Sequence, residues 1–175
     1  MDNYLGIVYL SVLVGFLALV ALFVARQIFK TRKLESQLSK LQKKISNDKA
    51  TPEDYYELGS IYLDKKLYSQ SVQVFQKALK FKKLEAEQLA LIYNALGFAY
   101  AALEQYDIAI RQYKEALKLS PDYVVALNNL GFSYEKKNLT NQALEAYEKV
   151  LEYEPKNQTA KTRSDSMRKR VGTSA

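Results

Sequence analysis

Residues 93–134 read YNALGFAYAALEQYDIAIRQYKEALKLSPDYVVALNNLGFSY, and the two ends of this stretch are versions of one motif. Tyr93-x2-Leu96-Gly97-x2-Tyr100 returns as Leu127-x2-Leu130-Gly131-x2-Tyr134, with the glycines 34 residues apart. Working outward, the motif occurs once more as Tyr55-x2-Leu58-Gly59-x2-Tyr62, 38 residues before Gly97. Twelve residues after each glycine stands Ser71, Ala109 or Ala143; four further on, Phe75, Tyr113 or Tyr147; three beyond those, Ala78, Ala116 or Val150. Pro121 and Pro155 close the second and third units. Self-similarity at a period in this range marks a stacked-repeat architecture, in which each unit buries its apolar face only against its neighbours.

The spacing follows the tetratricopeptide repeat (TPR) pattern, W-x2-L-G-x2-Y…A-x3-F…P with a period of 34 residues. It predicts an all-α chain whose body is a three-repeat TPR α-solenoid over residues 52–155, with units near 52–85, 90–123 and 124–157. Each unit is expected to be two antiparallel helices. Gly59, Gly97 and Gly131, with Ser71, Ala109 and Ala143, let the two backbones approach. The aromatic residues Tyr62, Phe75, Tyr100, Tyr113, Tyr134 and Tyr147 fill the space between successive helices. The four extra residues between Gly59 and Gly97 amount to about one helical turn and are expected to lengthen a helix around Phe81–Leu89, where Lys83 replaces the expected proline. The polar stretch after Pro155 reads as a capping helix and basic tail over 156–175.

The N-terminal end is different in kind. Tyr4 to Ala25 is 22 residues without a charge, about 33 Å as a helix and enough for a hydrocarbon core of ~30 Å. The flank Met1-Asp2-Asn3 is not basic, the apolar run is long for a signal peptide, and Arg26 rather than a small-residue cleavage site follows it, so residues 1–25 read as an uncleaved transmembrane anchor. Arg26, Lys30, Arg32 and Lys33 follow the run, which places the C-terminal side in the cytoplasm or its equivalent. Gly6 and Gly15 do not form a GxxxG pair. Residues 26–51 read as a basic amphipathic stalk. Its stripe of Leu34, Leu38, Leu41 and Ile45 suits a short coiled coil, or packing against the following domain or the lipid headgroups. Thr51 is expected to cap the next helix, with Pro52 at its first position.

Composition removes several function classes. The chain holds no Cys and no His, so disulfide frameworks, Cys/His zinc sites, His-based triads and thiol nucleophiles are excluded. The net charge of +7 lies in two flanks: residues 26–50 carry eight bases against two acids, and residues 156–175 six against one. The repeats are slightly acidic, with twelve bases against fifteen acids over residues 51–155. Bases without interleaved aromatics do not make a nucleic-acid surface. With no glycine-rich phosphate loop and no convergent acid, base or nucleophile, neither an enzyme nor a bound cofactor is expected.

What remains is protein binding. The first helices of the three units should line a concave groove. Its positions are Glu53, Tyr56, Glu57, Ser60, Leu63 and Asp64 in the first unit and Leu91, Asn94, Ala95, Phe98, Ala101 and Ala102 in the second. The third supplies Val125, Asn128, Asn129, Phe132, Glu135 and Lys136. Asn94, Asn128 and Asn129 suit hydrogen bonds to a peptide backbone, Phe98 and Phe132 suit apolar anchoring, and Tyr56 joins them at the first unit. Repeat domains that recruit chaperones resemble one another in a carboxylate clamp of Lys, Asn and Arg. The aligned Tyr56, Ser60, Ala95, Val125 and Asn129 hold no cation, so capture of a chaperone C-terminal carboxylate is not expected. Glu53, Glu57 and Asp64 favour a basic or neutral partner segment.

The layout of short N-terminus, one span, basic stalk and three repeats resembles the small thylakoid TPR proteins of cyanobacteria and algal plastids, the hypothetical chloroplast reading frame thirty-seven family. Leu127 departs from the Tyr of the other two units without disturbing the motif. The resemblance implies a membrane-anchored scaffold for photosystem I assembly or stability, with the repeats on the stromal side of the thylakoid and photosystem I subunits or assembly factors as partners. It assigns no contact residues, and it leaves the oligomeric state open. A general TPR docking protein of a bacterial inner membrane is the alternative.

Overall fold

The computed structural model describes residues 2–173, and their regular structure is helical throughout. Met1 and residues 174–175 of the ranges above lie outside the described residues. The elements are α1 (Asp2–Ser46), α2 (Pro52–Asp64), α3 (Tyr68–Ala78), α4 (Ala86–Ala102), α5 (Tyr106–Leu119), α6 (Val124–Lys136), α7 (Thr140–Tyr153) and α8 (Gln158–Thr173). Three pairs, α2–α3, α4–α5 and α6–α7, are the three repeats.

Each pair closes on the same contact. A Cβ added to Gly59 would lie 2.5 Å from the ring of Phe75, one on Gly97 2.5 Å from Tyr113, and one on Gly131 2.8 Å from Tyr147. The glycine therefore makes a seat in the first helix for an aromatic ring of the second helix of the same pair, and all three rings are buried. Ala109 and Ala143 are buried beside them, and Ser71 takes that role in the first pair by donating from its hydroxyl to the Gly59 carbonyl at 2.9 Å.

The turns inside the pairs are also copies of one another. Lys66, Glu104 and Asn138, each seven residues after its glycine, adopt φ of 59°, 60° and 57°. The next N–H, of Leu67, Gln105 and Leu139, donates back to the carbonyl of Tyr62, Tyr100 and Tyr134 at 2.8–2.9 Å, satisfying an orphan carbonyl at the helix end. Only asparagine takes this left-handed conformation readily. For Lys66 and Glu104 it is imposed by the pairing of the helices.

The four extra residues appear as a longer start to α4, which has 17 residues against 13 in α2 and in α6. The second unit thus begins at Ala86, ahead of residue 90. Residues 79–85 do not join the helix. They form the connection, because α3 stops at Ala78 while α5 and α7 continue three residues past the equivalent Ala116 and Val150.

The stack does not end at the three pairs. The second helix of each unit meets the first helix of the next through one recurring position. Gln76 Nε2 donates to Tyr100 Oη at 3.0 Å, and the Lys114 ammonium lies 5.8 Å from the centre of the Tyr134 ring. The same place is filled by Gln42 of α1 on Tyr62 at 3.1 Å, and by Glu148 on Arg168 of α8 at 2.7 Å. A second recurrent pair is Asp107 with Lys137 and, 72 residues earlier for both partners, Glu35 with Lys65. The end of α1 therefore stands where the second helix of a preceding repeat would stand, and α8 where the first helix of a following one would. Leu34, Leu38, Leu41 and Ile45 pack on Leu58, Ile61, Tyr62 and Val74, with Leu41 buried. The stripe is used within the chain, on the flank of α2 rather than in the groove. At the other end Ala160, Ser164 and Met167 are the buried face of α8, and Asn157 caps it by accepting from the Ala160 N–H at 3.0 Å.

Upstream of this junction the described side chains of α1 are largely uncovered. From Ile7 to Phe29 its large apolar side chains are exposed, and Gly6 and Gly15 face open space. By length and composition the helix is able to cross a membrane.

The entry to α2 fixes the junction. Thr51 and Asp54 form a reciprocal capping box, worth typically ~1 kcal/mol. Asp54 Oδ1 also accepts from Lys44 Nζ at 2.6 Å. The Lys44 ammonium first, and then the Thr51 N–H, hold the Asp54 carboxyl below its ordinary range. A depressed carboxylate adds stability above its unfolded pKa and loses it as the pH falls through the folded one. Acidification through and below the usual carboxylate range is therefore expected to loosen α1 from α2. The check is amide exchange at residues 34–46 of the full chain against pH, with Asp54→Asn flattening the dependence. Gly97→Ala is expected to destabilise by about 1–3 kcal/mol, despite the better helix propensity of alanine, because the Tyr113 ring has nowhere to go; the check is urea unfolding followed by helicity.

Candidate peptide-binding groove

Successive first helices touch, α2 against α4 and α4 against α6, whereas α3, α5 and α7 do not approach one another in the same way. The stack therefore curves with α2, α4 and α6 on its inner side, and α8 extends that row. The sequence-derived groove positions share this face, but the structure gives them unequal tasks.

Phe98 and Phe132 occupy the residue directly after the glycine seat and point away from the ring it holds. They are 46% and 36% exposed, a large uncovered apolar area for residues flanked by core. Phe132 lies between two cations, with Lys136 Nζ 5.4 Å and the Arg163 guanidinium 5.9 Å from its ring centre. Such contacts are favourable by ~0.5–1 kcal/mol at exposed sites. Val125, the second residue of α6, is also exposed.

The asparagines are largely occupied with each other. Asn94 Nδ2 donates to Tyr123 Oη at 3.2 Å, and Asn129 Nδ2 donates to Asn94 Oδ1 at 3.2 Å. This line ties α4 to α6 across the floor of the groove, so the pair positions helices before it meets any peptide. Asn128 Oδ1 is covered and has no hydrogen-bond partner among the described residues. Tyr56 is half-buried with its ring 5.7 Å from that of Phe75. Glu135 belongs to α8 more than to the groove: it accepts from both Tyr147 Oη at 2.9 Å and Arg163 at 3.0 Å.

Tyr123 was not among the sequence-derived residues. Burial raises its phenol pKa, with the nearby Tyr56 hydroxyl adding to the effect and the Asn94 hydrogen bond opposing it. Its signal in the sequence is slight, an aromatic residue two places after Pro121, in the turn where the other units have none to match. At the first-unit end Glu53, Glu57 and Asp64 are exposed carboxylates. Glu53 is held below the ordinary range chiefly by a backbone hydrogen bond at the start of α2, with Thr51 and Gln88 contributing. Gln88 Nε2 donates to Glu53 Oε1 at 2.6 Å. The inner face is thus acidic along α2, apolar across α4 and flanked by cations at α6 and α8.

A Tetratricopeptide repeat profile matches residues 55–83 and again residues 124–157, and a TPR repeat profile matches residues 99–138. Among solved structures, MamA superposes with a TM-score of 0.74 at 23% identity over 82% of this chain and 81% of that one. The first TPR of Spaghetti (RPAP3) bound to an HSP90 peptide superposes with a TM-score of 0.65 at 20% identity, over 70% of this chain and 94% of that one. At these identities the likeness establishes the fold, and together with the matching profiles it makes the class of protein a TPR protein.

The particular family follows from closer relatives. The uncharacterized protein ycf37 of Cyanophora paradoxa is 47% identical over 92% of this chain and 94% of its own length, and that of Guillardia theta 40% over 91% and 90%. The chain belongs to the ycf37 family. The Tetratricopeptide repeat domain-containing protein PYG7, chloroplastic, of Arabidopsis thaliana is 37% identical over 93% of this chain, which spans 54% of that longer protein.

The exposures separate groove from core in a way that stability measurements read directly. Phe98→Ala is expected to shift unfolding by about 0.5–1 kcal/mol and Phe132→Ala, which also gives up its two cation contacts, by about 1–2 kcal/mol, whereas Phe75→Ala is expected to cost ~3–5 kcal/mol. Denaturant unfolding of the three variants followed by helicity makes the comparison, and a large loss for Phe98→Ala would put that ring in the core.

Proposed function

We propose that the protein is a membrane-anchored scaffold that assists photosystem I assembly or stability, holding photosystem I subunits or their assembly factors in its groove at the thylakoid membrane. The observation that carries this reading is the continuity of α1. One unbroken helix is bare and apolar over its first half and, over its last turns, packs as the leading half-repeat of the solenoid. Leu41 lies fifteen residues past Arg26, about 22 Å along the helix. A groove joined to a bilayer this way, without a flexible linker, is held at a set height and angle.

The first half of α1 is the single span in this reading. Arg26, Lys30, Arg32 and Lys33 are exposed just beyond it, which favours the stromal or cytoplasmic side for the repeats. Confinement at a membrane raises the effective concentration of a groove whose intrinsic affinity is modest. The chloroplast named for the Arabidopsis relative supports the location. The reading includes no catalysis, no cofactor and no nucleic acid. Protein contacts through the inner face are the whole activity.

The test is affinity capture from gently solubilised thylakoids with a C-terminally tagged full chain. Photosystem I subunits are expected to enrich over those of photosystem II, and Phe98→Ala with Phe132→Ala to lose that enrichment while the variant stays in the membrane fraction. Equal recovery of both photosystems, or of unrelated envelope proteins, removes the photosystem I assignment.

A further inference from the structure

The longer start of α4 does more than shift a boundary. Where α4 overhangs α2 there is an open pocket of about 100 Å³, walled by Tyr56, Leu84, Leu91 and Ile92, with Glu53 and Gln88 at its rim. Leu84 and Gln88 come from the connection and the added turn that distinguish this unit. At the matching place between α4 and α6, Tyr123 reaches Asn94 instead. The pocket opens on the inner face, and Leu91 precedes Phe98 by seven residues, two turns along the same side of α4. The two apolar sites are therefore separated by about 10 Å along the helix axis.

The chemistry of the pocket selects its occupant. Its wall is almost wholly apolar, and an apolar cavity of ~150 Å³ takes a benzene ring, so this smaller one suits a branched aliphatic side chain. Its rim is anionic. Glu53 and Glu57 sit one turn apart on α2 and both are exposed, an arrangement of like charges that repel each other along the helix and that a cation from outside relieves. The chain's own basic segment around Arg26–Lys33 lies within α1, whose docked end faces the opposite flank of α2.

We infer that this pocket is a specificity site for a protein partner: it takes a Leu, Ile or Val side chain from a segment in which a neighbouring Lys or Arg pairs with Glu53. The same segment reaches Phe98 with a second apolar residue, three places away if extended at ~3.3 Å per residue. This deepens the groove reading above and rests on it.

The experiment pans a phage-displayed random twelve-residue peptide library on the full chain in nanodiscs. Parallel pannings use Glu53→Lys, Leu91→Lys and the Phe98→Ala/Phe132→Ala double variant. Wild-type chain is expected to enrich an aliphatic residue beside Lys or Arg. Glu53→Lys, a fully exposed change, is expected to switch that neighbour to Asp or Glu. Leu91→Lys is expected to weaken the wild-type consensus peptide by at least about tenfold. Peptides that need the two Phe residues but are indifferent to Glu53 and Leu91 overturn the pocket and leave the groove standing. Enrichment no different from that on the double Phe variant overturns the groove reading itself. Self-association of the chain that Leu91→Lys abolishes assigns the pocket to a second copy and overturns the inference.

Discussion

An aromatic ring pressed onto a glycine holds each helix pair together, and the rest of the molecule is arranged by that contact. With Phe75, Tyr113 and Tyr147 seated where a Cβ would otherwise be, the two helices of a pair come close enough that the linking turn must close in three residues. Lys66 and Glu104 are then driven into a left-handed conformation that neither side chain favours. The next residue after each glycine is turned to the inner face, which is why Phe98 and Phe132 stand exposed. Core and inner face are thus adjacent steps on one helix.

Between pairs the joint is looser in its chemistry and strict in its geometry. The same position is served by a hydrogen bond from Gln42 or Gln76, a cation over a ring from Lys114, and an ion pair from Glu148. Surface contacts of these kinds are individually weak, so the apolar face beside them, renewed at each interface, supplies the stacking. Any helix offering an apolar stripe and a suitable polar partner fits. The end of α1 and the buried face of α8 both do, and they close the two faces that three repeats alone would leave open.

Using α1 as a leading half-repeat has a functional consequence. In a tethered domain the linker ordinarily sets both reach and freedom. Here the apolar helix enters the solenoid with only residues 47–51 between α1 and α2, and the Lys44–Asp54 pair with the Thr51 cap fixes that corner. The groove, acidic along α2 and flanked by Lys136 and Arg163 at its other end, therefore has a direction relative to the apolar helix.

Much of this is legible in the sequence because it depends on short-range spacing. The glycine at one position and the aromatic residue sixteen places later declare the pairs. The uncharged run to Ala25 declares a helix apolar on every side, and Thr51-Pro52 declares the start of α2. The Leu34–Ile45 stripe was readable as apolar, but its partner was not, since a coiled coil and an intramolecular face need the same residues. Tertiary structure alone gave that stripe to Leu58 and Ile61. It also turned Asn94 and Asn129 toward each other and put Tyr123 beside them. The four added residues became an overhang at the start of α4, while residues 79–85 stayed outside the helix. The division has one cause. Periodicity along a chain reports which face of a helix is buried, whereas what covers that face comes from elsewhere in the chain, 17 positions on for Leu41 and Leu58, 29 for Asn94 and Tyr123 and 35 for Asn94 and Asn129.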